Sequence, residues 1–288
     1  MKLIEAKDVI PGVEIDATHS MYPTRMLVAG GERGYTETDH TRHTYGYVLE
    51  GSCEVKFDGH SFTLNEGAYF SLPGRFQLID THPGLGHVRY RTDYVCERIV
   101  LRNLGAVTSK IILIQRFGLR GLVTVGRLDP PQPNYSGEGA DRDARFGPGR
   151  LSYIDGCSDT LLVPPARLGE ACLNYLFFPR GVLQTQHTHP SIRMGIVVDG
   201  LGYAWQQADG HGHGWEKPLE RGNIFMLEES ELHSFKTTEG HNGEAARTMS
   251  IVAFHPDSDT GPTDNDQPML NRTYINHGQP GGQSGARI

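Results

Sequence analysis

One pattern, written twice, constrains the fold of this 288-residue chain more than anything else in it. Tyr47-Val48-Leu49-Glu50-Gly51-Ser52 is followed by Asn65-Glu66-Gly67-Ala68-Tyr69-Phe70-Ser71-Leu72-Pro73. Ile196-Val197-Val198-Asp199-Gly200-Leu201 is followed by Glu220-Arg221-Gly222-Asn223-Ile224-Phe225-Met226-Leu227-Glu228. In each copy an apolar strand ends in an acid and a glycine, a hairpin follows, and a second glycine opens another apolar strand. Glycine at both corners suits tight turns that need positive φ. A plan repeated at this distance predicts two domains built alike.

The rest of the chain agrees with an all-β reading. Short apolar or alternating runs recur, such as Cys53–Phe57, Ile111–Ile114, Cys172–Phe178 and Ser250–Phe254, and the 36 Gly and 17 Pro punctuate them. The predicted organisation is a first domain over 1–130, a Pro- and Gly-rich linker over 131–149, a second domain over 150–256, and a polar tail over 257–288. That tail has too little apolar surface to fold alone, but Met269, Leu270 and Tyr274 could pin it to a neighbouring domain.

The net charge of -7 leaves no basic footprint, so nucleic acid is not an expected partner. No apolar run reaches about 18 residues and Met1–Val9 mixes charges, so neither membrane span nor signal peptide is predicted, and the expected location is cytoplasmic. The four cysteines, Cys53, Cys96, Cys157 and Cys172, include no Cys-x-x-Cys pair, against a zinc knuckle or a disulfide framework.

The chemistry concentrates in Gln186–Gly200, Q-H-T-H-P-S-I-R-M-G-I-V-V-D-G. Residues two apart on a strand share a face, so Thr185, His187, His189, Ser191 and Arg193 are predicted to point together. Two imidazoles there, joined by a third from another strand, would give a metal three neutral nitrogen donors and leave its other side open.

These residues resemble the cupin superfamily, whose first motif is Gly-x5-His-x-His-x3-4-Glu-x6-Gly and whose second is Gly-x5-Pro-x-Gly-x2-His-x3-Asn. The resemblance spans about residues 30–255 in two tandem copies, and implies two double-stranded β-helix (jelly-roll) barrels, a bicupin. Counting back from Gly200 puts His187 and His189 at the paired histidines and Arg193 at the glutamate. Counting on from Gly222 puts Glu228 at the proline, Ser230 at the second glycine and His233 at the last histidine. The implied metal ligands are thus His187, His189 and His233, with Arg193 excluding the usual fourth. In the first copy Thr38, His40, Thr44 and Leu78 fall at the four ligand positions, which predicts no metal there; His43 is offset in parity from His40.

Arg193 is the candidate for substrate binding and catalysis. A buried guanidinium needs an anion or several acceptors, either a substrate carboxylate or an internal partner such as Glu231. The two positive charges left on an ion held by neutral donors favour the substrate anion. Thr185, Tyr203 and Trp205 are further candidates for substrate contact, and Tyr175, Phe177, Phe225 and Phe235 for lining or plugging the barrel. His211-Gly212-His213 reads as an exposed hairpin loop.

Among cupins, three-His Fe(II) centres are associated with dioxygenases, so the resemblance implies a non-haem Fe(II) oxygenase acting on a small carboxylate-bearing metabolite, with dioxygen as co-substrate. Zn(II), Ni(II) or Mn(II) are the alternative ions. A lyase, isomerase or cyclase without redox chemistry, or a non-catalytic binding domain, are the alternative functions. The expected assembly is a homodimer, with a barrel edge or the N-terminal strand pairing across chains.

Overall fold

A computed structural model describes residues 1–30, 36–37, 41–57, 60–73, 76–77, 109–118, 123–127, 151–165, 169–208, 214–239, 247–258, 274–275 and 279–280. The predicted linker, the positions Thr38, His40 and Leu78, the pair His211 and His213, Cys96, and Met269 and Leu270 lie outside the described residues.

The chain divides into two compact units. One comprises Ile10–Thr18 and Pro23–Leu128; the other comprises Met1–Val9, His19–Tyr22 and Asp129–Ile288. Among the described residues both are built of β-strands, with only single-turn 3-10 helices at Ala6–Asp8 and Ile154–Gly156. The first nine residues differ from expectation: Lys2–Ile4 pairs antiparallel with Ile224–Leu227 of its own chain and so joins the C-terminal unit. A three-residue strand carries no sequence signal of its partner.

The two units share a strand order. In the N-terminal unit, Ala68–Pro73, Arg42–Glu50, Lys110–Phe117, Thr24–Gly30 and Glu14–Ala17 lie side by side. In the C-terminal unit, Ile224–Leu227, Arg193–Gln206, Met249–His255, Cys172–Phe178 and Ser158–Val163 do the same. Details repeat as well. Gly46 stands opposite Phe70 and Gly195 opposite Phe225. A Cβ on either glycine would lie 2.1 Å from the phenyl ring, so the ring lies flat on the strand only because the side chain is missing. Gly51 and Gly200 turn at φ 75 and 77, as the repeated corners require.

Each copy also carries a β-bulge just before that corner, at Leu49 and at Val198. An extra residue shifts the side-chain alternation by one. Upstream of Val198 the inward residues of the C-terminal unit are Arg193, Gly195 and Val197; downstream Ala204 is fully buried while Tyr203 and Trp205 are half-buried. Inside this unit Leu176, Phe178, Phe225, Leu227, Phe235, Ile251 and Ala253 pack into one core. The N-terminal unit packs Leu27, Val48, Phe70, Leu72, Ile111 and Leu113 in the same way. Cys53, Cys157 and Cys172 are free and buried. No helix among the described residues is long and apolar enough to cross a membrane.

Candidate metal centre

Three histidines converge inside the C-terminal unit. Their donor atoms all lie within 4.8 Å of one another and all three residues are buried. The backbone explains the convergence. His187 N donates to His233 O at 2.9 Å and His233 N to His187 O at 3.0 Å, a reciprocal antiparallel bridge that sets the two side chains on one face. Two residues on, His189 follows His187 onto that face, and its carbonyl accepts from Ser230 N at 2.8 Å. Ser230 has φ 58, a left-handed backbone at the position where the motif that the sequence resembles puts glycine.

The hydrogen bonds leave the lone pairs facing inward. His187 Nδ1 lies 2.8 Å from Thr185 O and His233 Nδ1 lies 2.8 Å from Glu231 O. A carbonyl only accepts, so both Nδ1 atoms carry the proton and both Nε2 atoms carry the lone pair. Among the described residues His233 Nε2 is buried with no partner. Burial lowers the His187 pKa to about 4 and lowers those of His189 and His233 well below the ordinary value, so all three are neutral near pH 7. Three neutral imidazoles, two of them oriented by their Nδ1 bonds, are the donor set that a divalent ion takes.

This burial has a testable cost in the metal-free protein. The folded state binds fewer protons than the unfolded state once the pH falls below about 6.5, so acid lowers stability. With its folded value at about 4, His187 alone accounts for up to about 3 kcal/mol across that window. Urea midpoints of metal-free protein should therefore fall between pH 7.5 and pH 5; an unchanged midpoint would contradict neutral burial.

Arg193 joins the site with a divided guanidinium. Its Nη1 donates to Asp257 Oδ1 at 3.1 Å, to Ile192 O at 2.9 Å and to Ser191 Oγ, while Ser191 Oγ donates to Asp257 Oδ1 at 2.5 Å. The side chains of Arg193 and Asp257 are 4% and 1% exposed. Asp257, not Glu231, is thus the internal partner. The other edge, Nε and Nη2, is buried with no partner among the described residues. Burial pulls the Arg193 pKa down and Asp257 opposes it, leaving the group charged.

A cavity of ≈ 30 Å³ lies among these residues, with the three histidines, Arg193, Gln184 and His255 on its lining beside Phe178, Phe225 and Phe235. Thr185, Tyr203 and Trp205 do not line it. Thr185 contributes a carbonyl to His187. Beyond the bulge, Tyr203 and Trp205 sit 5.4 Å and 5.6 Å from Lys236 Nζ. Tyr175 and Phe177 also stay off the lining, where Leu176 and Phe178 stand instead; every residue of Cys172–Phe178 is buried, so hydrophobicity could not reveal the inward face.

His255 was missed in the sequence. It is 2% exposed, its ring centroid is 6.0 Å from that of His189, and burial lowers its pKa well below the ordinary value. Parity along Ile251, Ala253 and His255 was the available signal. In the N-terminal unit His43 is buried with Nε2 2.6 Å from Ser71 Oγ, and Thr44 stands where Arg193 does.

Solved structures share this architecture. A cupin 2 conserved barrel domain protein from Leptotrichia buccalis superposes with TM-score 0.50 at 12% identity, over 89% of this chain and 96% of its own. Protein Ylba from E. coli superposes with TM-score 0.53 at 15% identity, over 87% and 89%. The fold is that of the cupin barrel. No family model matches the chain, and no curated protein matches its sequence.

Proposed function

We propose that the chain is a bicupin whose C-terminal barrel holds one divalent metal on His187, His189 and His233, and that it is a non-haem Fe(II) oxygenase of a small carboxylate-bearing metabolite. The observation that carries this reading is the pair of carbonyl-bound Nδ1 atoms with a His233 Nε2 that has no partner among the described residues, a donor set already turned toward a common centre. Bound there, Fe(II) would supply redox capacity and several open coordination positions. The rest falls to the protein. Arg193 offers its Nε–Nη2 edge to a carboxylate, the planar fork that suits two parallel charged hydrogen bonds. Phe178, Phe225 and Phe235 exclude bulk water from the same space, which strengthens those bonds. The N-terminal barrel is proposed to be metal-free and the assembly a homodimer in the cytoplasm.

The decisive experiment is a metal analysis of untagged protein followed by oxygen-uptake screening of small carboxylates with Fe(II) and, separately, Zn(II). Turnover confined to Fe(II) and air supports the oxygenase. Equal turnover without oxygen would establish the non-redox alternative, for which three neutral histidines are also suited. Arg193→Lys tests the fork: it keeps a cation for Asp257 but has no planar edge, so carboxylate affinity should fall by about 1.5–3 kcal/mol with metal content unchanged.

A further inference from the structure

His187 and His233 are held alike, each by the carbonyl two residues before it, but the two carbonyls are secured differently. Glu231 is held through its own side chain: its amide donates to Glu228 O at 3.2 Å, its Oε2 accepts from Glu228 N at 2.9 Å and its Oε1 accepts from the Met1 ammonium. Thr185 lies in Gln184–Gln186, a stretch outside any strand. Its amide donates to Asp155 Oδ2 at 2.5 Å, thirty positions away in sequence.

The backbone at Asp155 is unusual. It sits in the single turn Ile154–Gly156 at φ 53 and ψ 44, a left-handed conformation that few side chains tolerate and aspartate enters more readily than most. The same turn meets the Thr185 segment a second time, where Gln184 Nε2 lies 3.7 Å from Cys157 Sγ. A carboxylate gives the Thr185 amide a charge-assisted bond, stiffer than a neutral acceptor would.

We infer that Asp155 is a positioning residue of the metal centre: its carboxylate fixes Thr185, and the Thr185 carbonyl fixes the tautomer and ring orientation of His187. This rests on the reading of His187 as a ligand. Asp155 does not line the cavity; it acts through the main chain.

Co(II) bound to the full-length protein is the probe. Asp155→Gly keeps the left-handed backbone and deletes the carboxylate, whereas Asp155→Asn keeps both the backbone tolerance and an oxygen acceptor. Asp155→Gly should bind Co(II) about 10–100-fold more weakly, with a changed visible spectrum. Asp155→Asn, which keeps an acceptor but loses the charge, should fall between wild type and Asp155→Gly. Metal-free melting temperatures separate this from a role in folding, which would lower the melting temperature of Asp155→Gly and leave the spectrum of bound Co(II) unaltered.

In wild type, amide exchange at Thr185 should slow when Co(II) is added, because coupling between ion and clamp is reciprocal; that readout stands even if the glycine variant does not fold. Wild-type affinity in Asp155→Gly, an Asp155→Asn that binds as weakly as Asp155→Gly, or Thr185 exchange indifferent to Co(II) would each overturn the role of Asp155. Wild-type protein that takes up no Co(II), or His187→Ala that retains it, would instead overturn the metal reading itself.

Discussion

Alanine in place of His187, His189 or His233 is expected to empty the metal centre while the barrel stays folded. Structural zinc sites bind with about 10–16 kcal/mol shared over four donors, so one nitrogen is worth about 2.5–4 kcal/mol, a loss of roughly one hundred- to one thousand-fold in affinity. The fold does not depend on the ligands to the same degree. The strands that carry them are paired by backbone bonds, and the reciprocal bridge between His187 and His233 survives loss of either side chain. His233→Ala even removes a buried nitrogen that has no partner among the described residues in the metal-free state, which offsets part of the cavity left behind. Metal content by mass spectrometry and thermal melting by circular dichroism give the two readouts. Full metal occupancy in His233→Ala would sink the ligand assignment.

The triad was legible in the sequence because two independent counts, from Gly200 and from Gly222, meet on residues that the backbone then bridges. Even Ser230, a departure from the motif, keeps the left-handed backbone that the motif's glycine implies. What failed was parity carried too far. Arg193 and Tyr203 are an even number of residues apart, yet the bulge at Val198 puts them on opposite faces, and nothing in Val197-Val198-Asp199 announces an extra residue. Parity not carried far enough lost His255, one position beyond the run recognised as a strand. Asp257 could not have been found. It follows the last barrel strand in a polar stretch assigned to the tail, and only the folded chain brings it to Arg193.

That pair makes the second large prediction. Asp257→Ala should cost about 3–5 kcal/mol of stability, because it leaves a buried guanidinium without its anion. Removing both charges is different. Arg193→Met with Asp257→Leu should come close to wild-type stability, since a buried pair pays much of its attraction back as desolvation, and the double-mutant cycle then isolates the coupling. The geometry also predicts chemical rescue. In Asp257→Ala the guanidinium keeps Nη1 bonds to Ser191 and Ile192 carbonyls but has no carboxylate among the described residues, beside a cavity of ≈ 30 Å³. Formate is small enough to enter it, where one water needs about 10–15 Å³, so sodium formate should raise the urea midpoint of Asp257→Ala more than sodium chloride of equal ionic strength. Wild type, with Asp257 in place, should show a smaller gain, through the Nε–Nη2 edge alone. If formate rescues neither protein, Arg193 is closed to anions, and the carboxylate half of the proposed substrate goes with it while the metal centre stands.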